Sequence, residues 1–182
     1  MKKSIVGAIV GGIIIFLCQF ASWTFSGMHR TGNMYTPKQD SIMNYLSTQF
    51  SEDGQYMIPS IPDGTTMEER EKLIKAAEGK PWAQVFYHKA MENNMMSNMA
   101  RGLVVNIIMV WLACWIFGKM GSPSYATILT SSLFIGLIVF INAPYTNHIW
   151  YMTKDINSYL VDALVGWGLT GIWLGWWLRR KS

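Results

Sequence analysis

Cysteines are scarce in this sequence, and their scarcity excludes two kinds of stabilisation. Among 182 residues there are only Cys18 and Cys114, too few for a disulfide scaffold or a four-cysteine zinc site. We expect both thiols to be unpaired, because they fall in separate apolar blocks at heights that differ by about 15 Å along the predicted helices.

Signatures of catalysis are missing as well. The sequence contains no Gly-rich phosphate loop, no Gly-x-Ser-x-Gly motif and no His-Glu-x-x-His motif. It also lacks internal repeats and low-complexity tracts. These absences argue against nucleotide chemistry and nucleophilic hydrolysis, so we expect a protein that is not an enzyme and needs no cofactor.

Long apolar blocks are what the chain has in abundance. There are four, each near the roughly 20 residues that a helix needs to cross about 30 Å of hydrocarbon. They predict an all-α membrane protein with a small, mainly helical extracytoplasmic domain. The predicted layout is helix 1 at residues 1–25, that domain at 26–98, helix 2 at 99–118, helix 3 at 124–143, an outer loop at 144–157, helix 4 at 158–178 and a basic tail at 179–182.

The distribution of charge predicts the orientation. With the N-terminus inside, the cytoplasmic segments hold six basic residues and no acidic ones, whereas the outer segments hold nine basic and ten acidic residues. Because cytoplasmic loops collect Lys and Arg, we expect both termini in the cytoplasm and residues 26–98 outside, in a bacterial inner membrane. The net charge of +4 then describes an inner rim at the lipid bilayer and not a nucleic-acid surface. A cleaved signal peptide is the alternative for the first block, but its apolar run is longer than the usual 7–15 residues or so.

The extracytoplasmic domain carries helix signals at three places. The first predicted helix is Pro37 to Gln49, and the second is Thr66 to Glu78, preceded by a capping pair of Thr65 and Glu68. Between them, residues 51–66 contain prolines and glycines that favour an extended strap. From Trp82 to Phe117 no proline interrupts the chain, which predicts one long helix whose outer half forms a stalk continuous with helix 2.

Asp162 is the one carboxylate inside an apolar block. A charged group in hydrocarbon is costly and is suspected of function by default. Its predicted place is the outer quarter of the bilayer, where we expect it to pair with Lys154, Arg101 or a tyrosine hydroxyl. The alternative is an ion or proton site, and it requires further polar groups toward the inner side.

Three histidines suggest a metal site as another possibility. His29, His88 and His148 all fall on the predicted outer side, and His88 with Glu92 would share a helical face. No multi-ligand zinc pattern accompanies them, so interfacial polar roles are the simpler interpretation.

Methionines add a second, softer set of candidate ligands. Met91, Met95 and Met99 recur every fourth residue on the predicted stalk. Thioethers suit Cu(I), but a stripe at helical spacing usually packs against neighbouring helices.

Glycines four residues apart mark two candidate packing faces. Gly7 and Gly11 lie in helix 1, and Gly171 and Gly175 lie in helix 4. Such spacing lets helices approach closely, so we expect helices 1 and 4 to touch within one chain, with homodimerisation as the alternative.

Three functions remain compatible with these patterns. The leading hypothesis is a non-enzymatic accessory or assembly component that binds a membrane protein partner or forms a homo-oligomer. The second is a small transporter or ion-handling protein that uses Asp162. The third is a membrane protein that binds copper or haem through outer His and Met residues.

Overall fold

The computed structural model of the chain describes residues 2–180 and is mostly helical. The elements in chain order are α1 Lys2–Ala21, α2 Gln39–Gln49, β1 Gly54–Ile58, α3 Met67–Ala77, β2 Ala83–Tyr87, α4 Met95–Lys119, α5 Tyr125–Phe140, α6 Thr146–Tyr151 and α7 Ile156–Trp177. A π-helical turn, Ser22–Ser26, prolongs α1, and a second, Ile141–Tyr145, joins α5 to α6.

Three helical segments are long and apolar enough to cross a membrane. They are Lys2–Ser26, Met95–Lys119 and Tyr125–Tyr151. The fourth predicted span corresponds to helix α7, a 22-residue helix that contains Asp162 and is not one of these three segments.

The chain forms two compact units, and the first of them, residues 2–34 with 94–180, is a helical bundle. In this bundle α1 packs against α4 and α7, and α7 also packs against α5. The helices come closest at glycines: a Cβ at Gly12 would lie 2.6 Å from the Ile107 Cα on α4, and one at Gly136 would lie 2.9 Å from the Ala163 carbonyl on α7. The core residues are Ile15, Val110, Ala113, Cys114, Phe117, Ile128, Trp167 and Leu174.

Side-chain hydrogen bonds join α7 to the backbone of α1 at regular intervals. Thr170 Oγ1 donates to the Gly11 carbonyl at 3.3 Å. Trp173 Nε1 donates to the Gly7 carbonyl at 3.3 Å, and Trp177 Nε1 donates to the Lys3 carbonyl at 2.9 Å. We call these bonds the α1–α7 ladder. Because an indole N–H buried among helices needs an acceptor, the ladder satisfies polar groups that would otherwise be costly in an apolar environment.

The second unit, Tyr35–Asn93, is built around a two-stranded antiparallel sheet. In its register Tyr56 pairs with Val85 and Gly54 with Tyr87. Phe50 stacks on Tyr56 with ring centroids 3.9 Å apart and meets Tyr87 edge-on at 5.3 Å. This aromatic cluster is the centre of the unit, and Tyr87 is its one buried hydrophobic residue.

The two predicted helices of this unit are confirmed, with small shifts at their starts. For α3 the N-cap is Thr66, whose side chain accepts from the Glu69 amide while the Glu69 carboxylate accepts from the Thr66 amide. The predicted pair, Thr65 and Glu68, is therefore one residue too early. Thr65 donates to the Pro62 carbonyl instead.

The predicted stalk is wrong. Residues Ala83–Tyr87 form β2 and not the outer half of a long helix, and α4 begins only at Met95. The absence of proline left a helix possible, but Val85, Phe86 and Tyr87 favour a strand, and pairing with β1 satisfies their backbone groups.

Candidate functional site

One histidine of the bundle lies between two carboxylates. His29 Nδ1 lies 3.0 Å from Asp155 Oδ2, and His29 Nε2 lies 3.0 Å from Asp162 Oδ2. The side chains of His29, Asp155 and Asp162 are only 3%, 5% and 15% exposed. We call these three residues the Asp–His–Asp triad.

Aromatic rings enclose the triad. The Trp23 indole stacks on the His29 ring with centroids 4.0 Å apart and planes 3° from parallel, and Tyr159 meets His29 edge-on at 4.9 Å. The two rings fix the orientation of the imidazole between the carboxylates.

Short backbone turns bring His29 to the start of α7. Gly27 adopts a left-handed conformation with φ of 68° and ends the π-helical turn after α1. Two residues later the chain presents His29, and a Cβ at Gly32 would lie 2.6 Å from Asp155 Oδ2, so the turn passes very close to that carboxylate. Ser158 Oγ donates to the Met28 carbonyl at 2.8 Å and holds the turn to α7.

The geometry constrains the protons of the triad. If both carboxylates are ionised, both ring nitrogens of His29 must donate, and the ring is then an imidazolium. In that state His29, Asp155 and Asp162 together carry one net negative charge. Among residues 2–180, His29 is the only basic group within 4.0 Å of either carboxylate.

Sequence reasoning singled out His29 and Asp162 but did not connect them, and it missed Asp155. The predicted partners of Asp162 were Lys154, Arg101 or a tyrosine hydroxyl, and its hydrogen bond is instead to His29. A signal was present, because Asp155 and Asp162 are seven residues apart and therefore share one helical face. The connection to His29 spans 133 positions and has no local signal.

A small cavity opens beside the triad. Its volume is about 160 Å³, and its polar lining includes Asp162, Gln19 and Tyr159. Such a cavity is large enough for a few water molecules, since about 30 Å³ is the share of one water in the liquid. Gln19 Oε1 also accepts a bond from Asn106 Nδ2 at 2.9 Å, which ties α1 to α4 at this level.

Polar groups farther along the bundle are already used in helix packing. Thr170 bonds to the Gly11 carbonyl, and Ser132 Oγ donates to the Ile128 carbonyl at 2.8 Å. Both side chains are fully buried. Thr170 therefore joins α7 to α1, Ser132 bonds within its own helix α5, and neither hydroxyl continues the cavity as a polar path.

The remaining histidines of the proposed metal site lie in different surroundings. His88 follows β2 in the second unit, where its Nδ1 lies 3.5 Å from Asp53 Oδ2. His148 is in α6, and its Nδ1 lies 2.9 Å from the Thr153 carbonyl oxygen. Glu92 lies in a segment that is not helical, so the shared helical face with His88 is wrong. Within residues 2–180 no group of three or more His, Cys, Asp or Glu side chains is arranged to hold a metal ion.

The methionine stripe is interrupted for the same reason. Met91 precedes α4 and is fully exposed, whereas Met95 is in the first turn of α4. Because α4 starts at Met95, the predicted helical repeat does not extend back to Met91.

Gly7 and Gly11 face two helices at once. A Cβ at Gly11 would lie 2.8 Å from Val110 on α4 and 3.1 Å from Thr170 on α7. One at Gly7 would lie 3.2 Å from Leu174 on α7. These glycines give α7 access to the α1 carbonyls of the ladder.

Gly171 and Gly175 lie on the opposite side of α7 and face α5. Cβ atoms there would lie 2.8 Å from Ser132 and 2.8 Å from Tyr125, respectively. Helices α1 and α7 are in contact, as predicted, but the glycines of α7 pack against α5 and not against α1.

No protein-family model matches the sequence, and no curated protein or solved structure matches the chain.

Proposed function

We propose that the protein is a non-enzymatic accessory or assembly component of a membrane complex, and that the unit Tyr35–Asn93 binds a membrane protein partner. In this proposal α1, α4, α5 with α6, and α7 cross a bacterial inner membrane, both termini are cytoplasmic, and Tyr35–Asn93 is outside. The excess of basic residues in the inner segments supports this orientation. The crossing by α7 is supported by its 22-residue length and by the pairing of Asp162 with His29.

The uncovered helices of Tyr35–Asn93 carry the proposal. Neither α2 nor α3 has a buried residue, although both present apolar side chains at helical spacing. Tyr45 on α2 is 65% exposed and Ile74 on α3 is 50% exposed. Large apolar side chains left uncovered on two helices are typical of an interaction surface.

A groove in the same unit offers a place for a partner side chain. Its volume is about 350 Å³, and its lining includes Ile58, Pro59, Leu73 and Pro81. The groove lies between one face of α3 and residues at the ends of the sheet. A mostly apolar groove beside an exposed helix face suits an apolar anchor from another polypeptide.

Site-specific photo-crosslinking in cells tests this function. A photoreactive phenylalanine analogue at Ile74 is expected to give one discrete adduct with a membrane protein. The matched control is the same analogue at Lys72, which pairs with Glu68 on another face of α3. We expect no such adduct from Lys72.

Two further variants connect the adduct to the function. Ile74→Glu is expected to abolish co-purification of the cross-linked partner and to reproduce the cellular defect of a deletion. An adduct with a second copy of this chain would identify a homo-oligomer as the assembly. Equal adducts from Ile74 and Lys72, or a fully active Ile74→Glu variant, would contradict the proposal.

The Asp–His–Asp triad supports a second candidate function, the handling of protons or small cations. Its two carboxylates and the cavity beside Asp162 favour a positively charged ligand. Asp162→Asn removes one charge and keeps an acceptor for His29. If the accessory function is correct, this variant accumulates normally and retains its cellular role. If Asp162→Asn is folded but inactive, the charge itself is required and ion handling becomes the better explanation.

A further inference from the structure

A second and larger cavity lies in the helical bundle, at the end opposite the triad. Its volume is about 550 Å³, within the roughly 300–1,000 Å³ of small-molecule sites. It opens between the first residues of α1, the last turn of α4 and the turn before α5. Its lining includes the basic residues Lys3 and Arg179 and the serines Ser122 and Ser124.

Positive charge in this cavity has no acidic counterpart among the described residues. Lys3 and Arg179 line it, and none of the lining residues within 2–180 is acidic. Helices α1, α4 and α5 contain no Asp or Glu at all. An anion is therefore the complementary ligand, and two cations beside serine hydroxyls match the oxygen atoms of a phosphate group.

Two other cations at this end lie over aromatic rings. The Arg180 guanidinium lies 4.7 Å from the Trp176 ring centroid, and Lys119 Nζ lies 5.3 Å from that of Trp115. Among residues 2–180, Lys3 and Arg179 are the basic residues that line the cavity, and Lys3 Nζ also donates to the Arg180 carbonyl.

The lining of the cavity combines polar and apolar residues. Ser122 and Ser124 are exposed, and the half-buried Pro123 and Leu178 supply an apolar wall. Phe117 and Ile128 also line the cavity but are at most 1% exposed. A free phosphate ion would use only the polar part. A phospholipid would use both, because its phosphate is joined to a glycerol and acyl chains.

We propose that this cavity binds the phosphate of an anionic phospholipid, with Lys3 and Arg179 on the phosphate oxygens and the apolar wall along the first acyl carbons. The proposal rests on the membrane location of the helices and is independent of the partner proposed for Tyr35–Asn93. Basic pockets between membrane helices are known to hold anionic headgroups.

Native mass spectrometry of the full-length protein in detergent tests the proposal. Phosphatidylglycerol and phosphatidylcholine with the same acyl chains are titrated separately, and we expect phosphatidylglycerol to bind more tightly. Lys3→Ala with Arg179→Ala is expected to weaken phosphatidylglycerol binding by about tenfold or more, since charge-assisted hydrogen bonds are lost. The matched control, Lys119→Ala with Arg180→Ala, removes the same charge outside the cavity and is expected to change binding less than about twofold.

A variant that fills the cavity separates shape from charge. Gly118 lines the cavity, and a Cβ there would meet no atom within 4 Å, so Gly118→Leu adds an apolar side chain at the lining without a clash at Cβ. We expect this variant to lose phosphatidylglycerol binding although its charge is unchanged. Normal binding by Gly118→Leu, or an equal loss in the two double variants, would overturn the site. Full displacement of the lipid by inorganic phosphate at millimolar concentration would overturn the lipid and assign the cavity to the free anion.

Discussion

The helical bundle and the unit Tyr35–Asn93 are stabilised in different ways. In the bundle, glycines bring backbones together, and buried polar groups of α7 bond to residues far away in the chain. In Tyr35–Asn93, α2 and α3 bury nothing, and the strongest contacts are a two-stranded sheet, one aromatic cluster and a capping box. A unit of the second kind has a thin core, which is why we propose that Tyr35–Asn93 binds a partner.

The largest effect is expected from removal of the imidazole in the triad. His29→Ala leaves two buried carboxylates facing one another, and it should lower the free energy of unfolding by about 3–5 kcal/mol. Unfolding of the purified protein in mixed SDS and detergent micelles measures the change. His148→Ala is the matched control, and we expect it to cost less than about 1 kcal/mol, because His148 is only partly buried.

A double variant shows whether repulsion is the cause. Adding Asp162→Asn to His29→Ala removes one of the two charges and should recover part of the lost stability. If His29→Ala is as stable as the unsubstituted protein, the triad does not fasten the bundle.

The next largest effect concerns the contact between α1 and α4. Gly12→Ala places a Cβ 2.6 Å from the Ile107 backbone, so the two helices must separate, at a cost of about 2–3 kcal/mol. Gly102→Ala makes the same substitution on α4 where nothing lies within 4 Å. There the higher helix propensity of Ala should add up to about 1 kcal/mol of stability. Melting temperatures in detergent are expected to move in opposite directions, and a shift of the same sign would argue against close packing at Gly12.

In Tyr35–Asn93 a smaller effect is expected, from the cap of α3. Thr66→Ala removes the side chain that accepts from the Glu69 amide, at a cost of about 1 kcal/mol. Faster hydrogen exchange in the first turn of α3 measures this loss. Thr65→Ala, at the neighbouring threonine that does not cap the helix, should leave exchange in that turn nearly unchanged. The opposite result would restore Thr65 as the cap.

The smallest effect is a pH dependence at Asp53. The Lys89 amide, which donates to Asp53 Oδ1 at 2.9 Å, and the nearby His88 together hold the pKa of this carboxyl below its usual value. Because the pKa is lowered by folding, the stabilisation is present above the unfolded pKa of about 3.9 and disappears as the pH falls through the folded pKa. Exchange of the Lys89 amide should therefore show a step on acidification. Asp53→Asn should remove that step, and a step that persists would have another origin.

Features governed by local physics were predictable from the sequence. Composition alone identifies the apolar blocks and singles out Asp162 as the carboxylate inside one of them. Helices α2 and α3 follow from residues within one or two turns of each other. The pairing of β1 with β2 was missed because a strand at Ala83–Tyr87 depends on contact with β1, which lies about 30 residues earlier in the chain. His29 and Asp162 were both noted, but the 133 positions between them are bridged only by the packing of α1 on α7.

The α1–α7 ladder has a consequence for biosynthesis. It joins residues 159 to 174 positions apart, so in the proposed membrane topology α1 is inserted long before its partner exists. At about 5–20 residues per second, translation of the intervening chain takes about 8–35 s. During that interval the groove at Gly7 and Gly11 is open to any other helix, including α1 of a neighbouring nascent chain. Only when the ribosome has made Trp173 and Trp177 can α7 close the groove, and a chain interrupted earlier remains a substrate for membrane proteases.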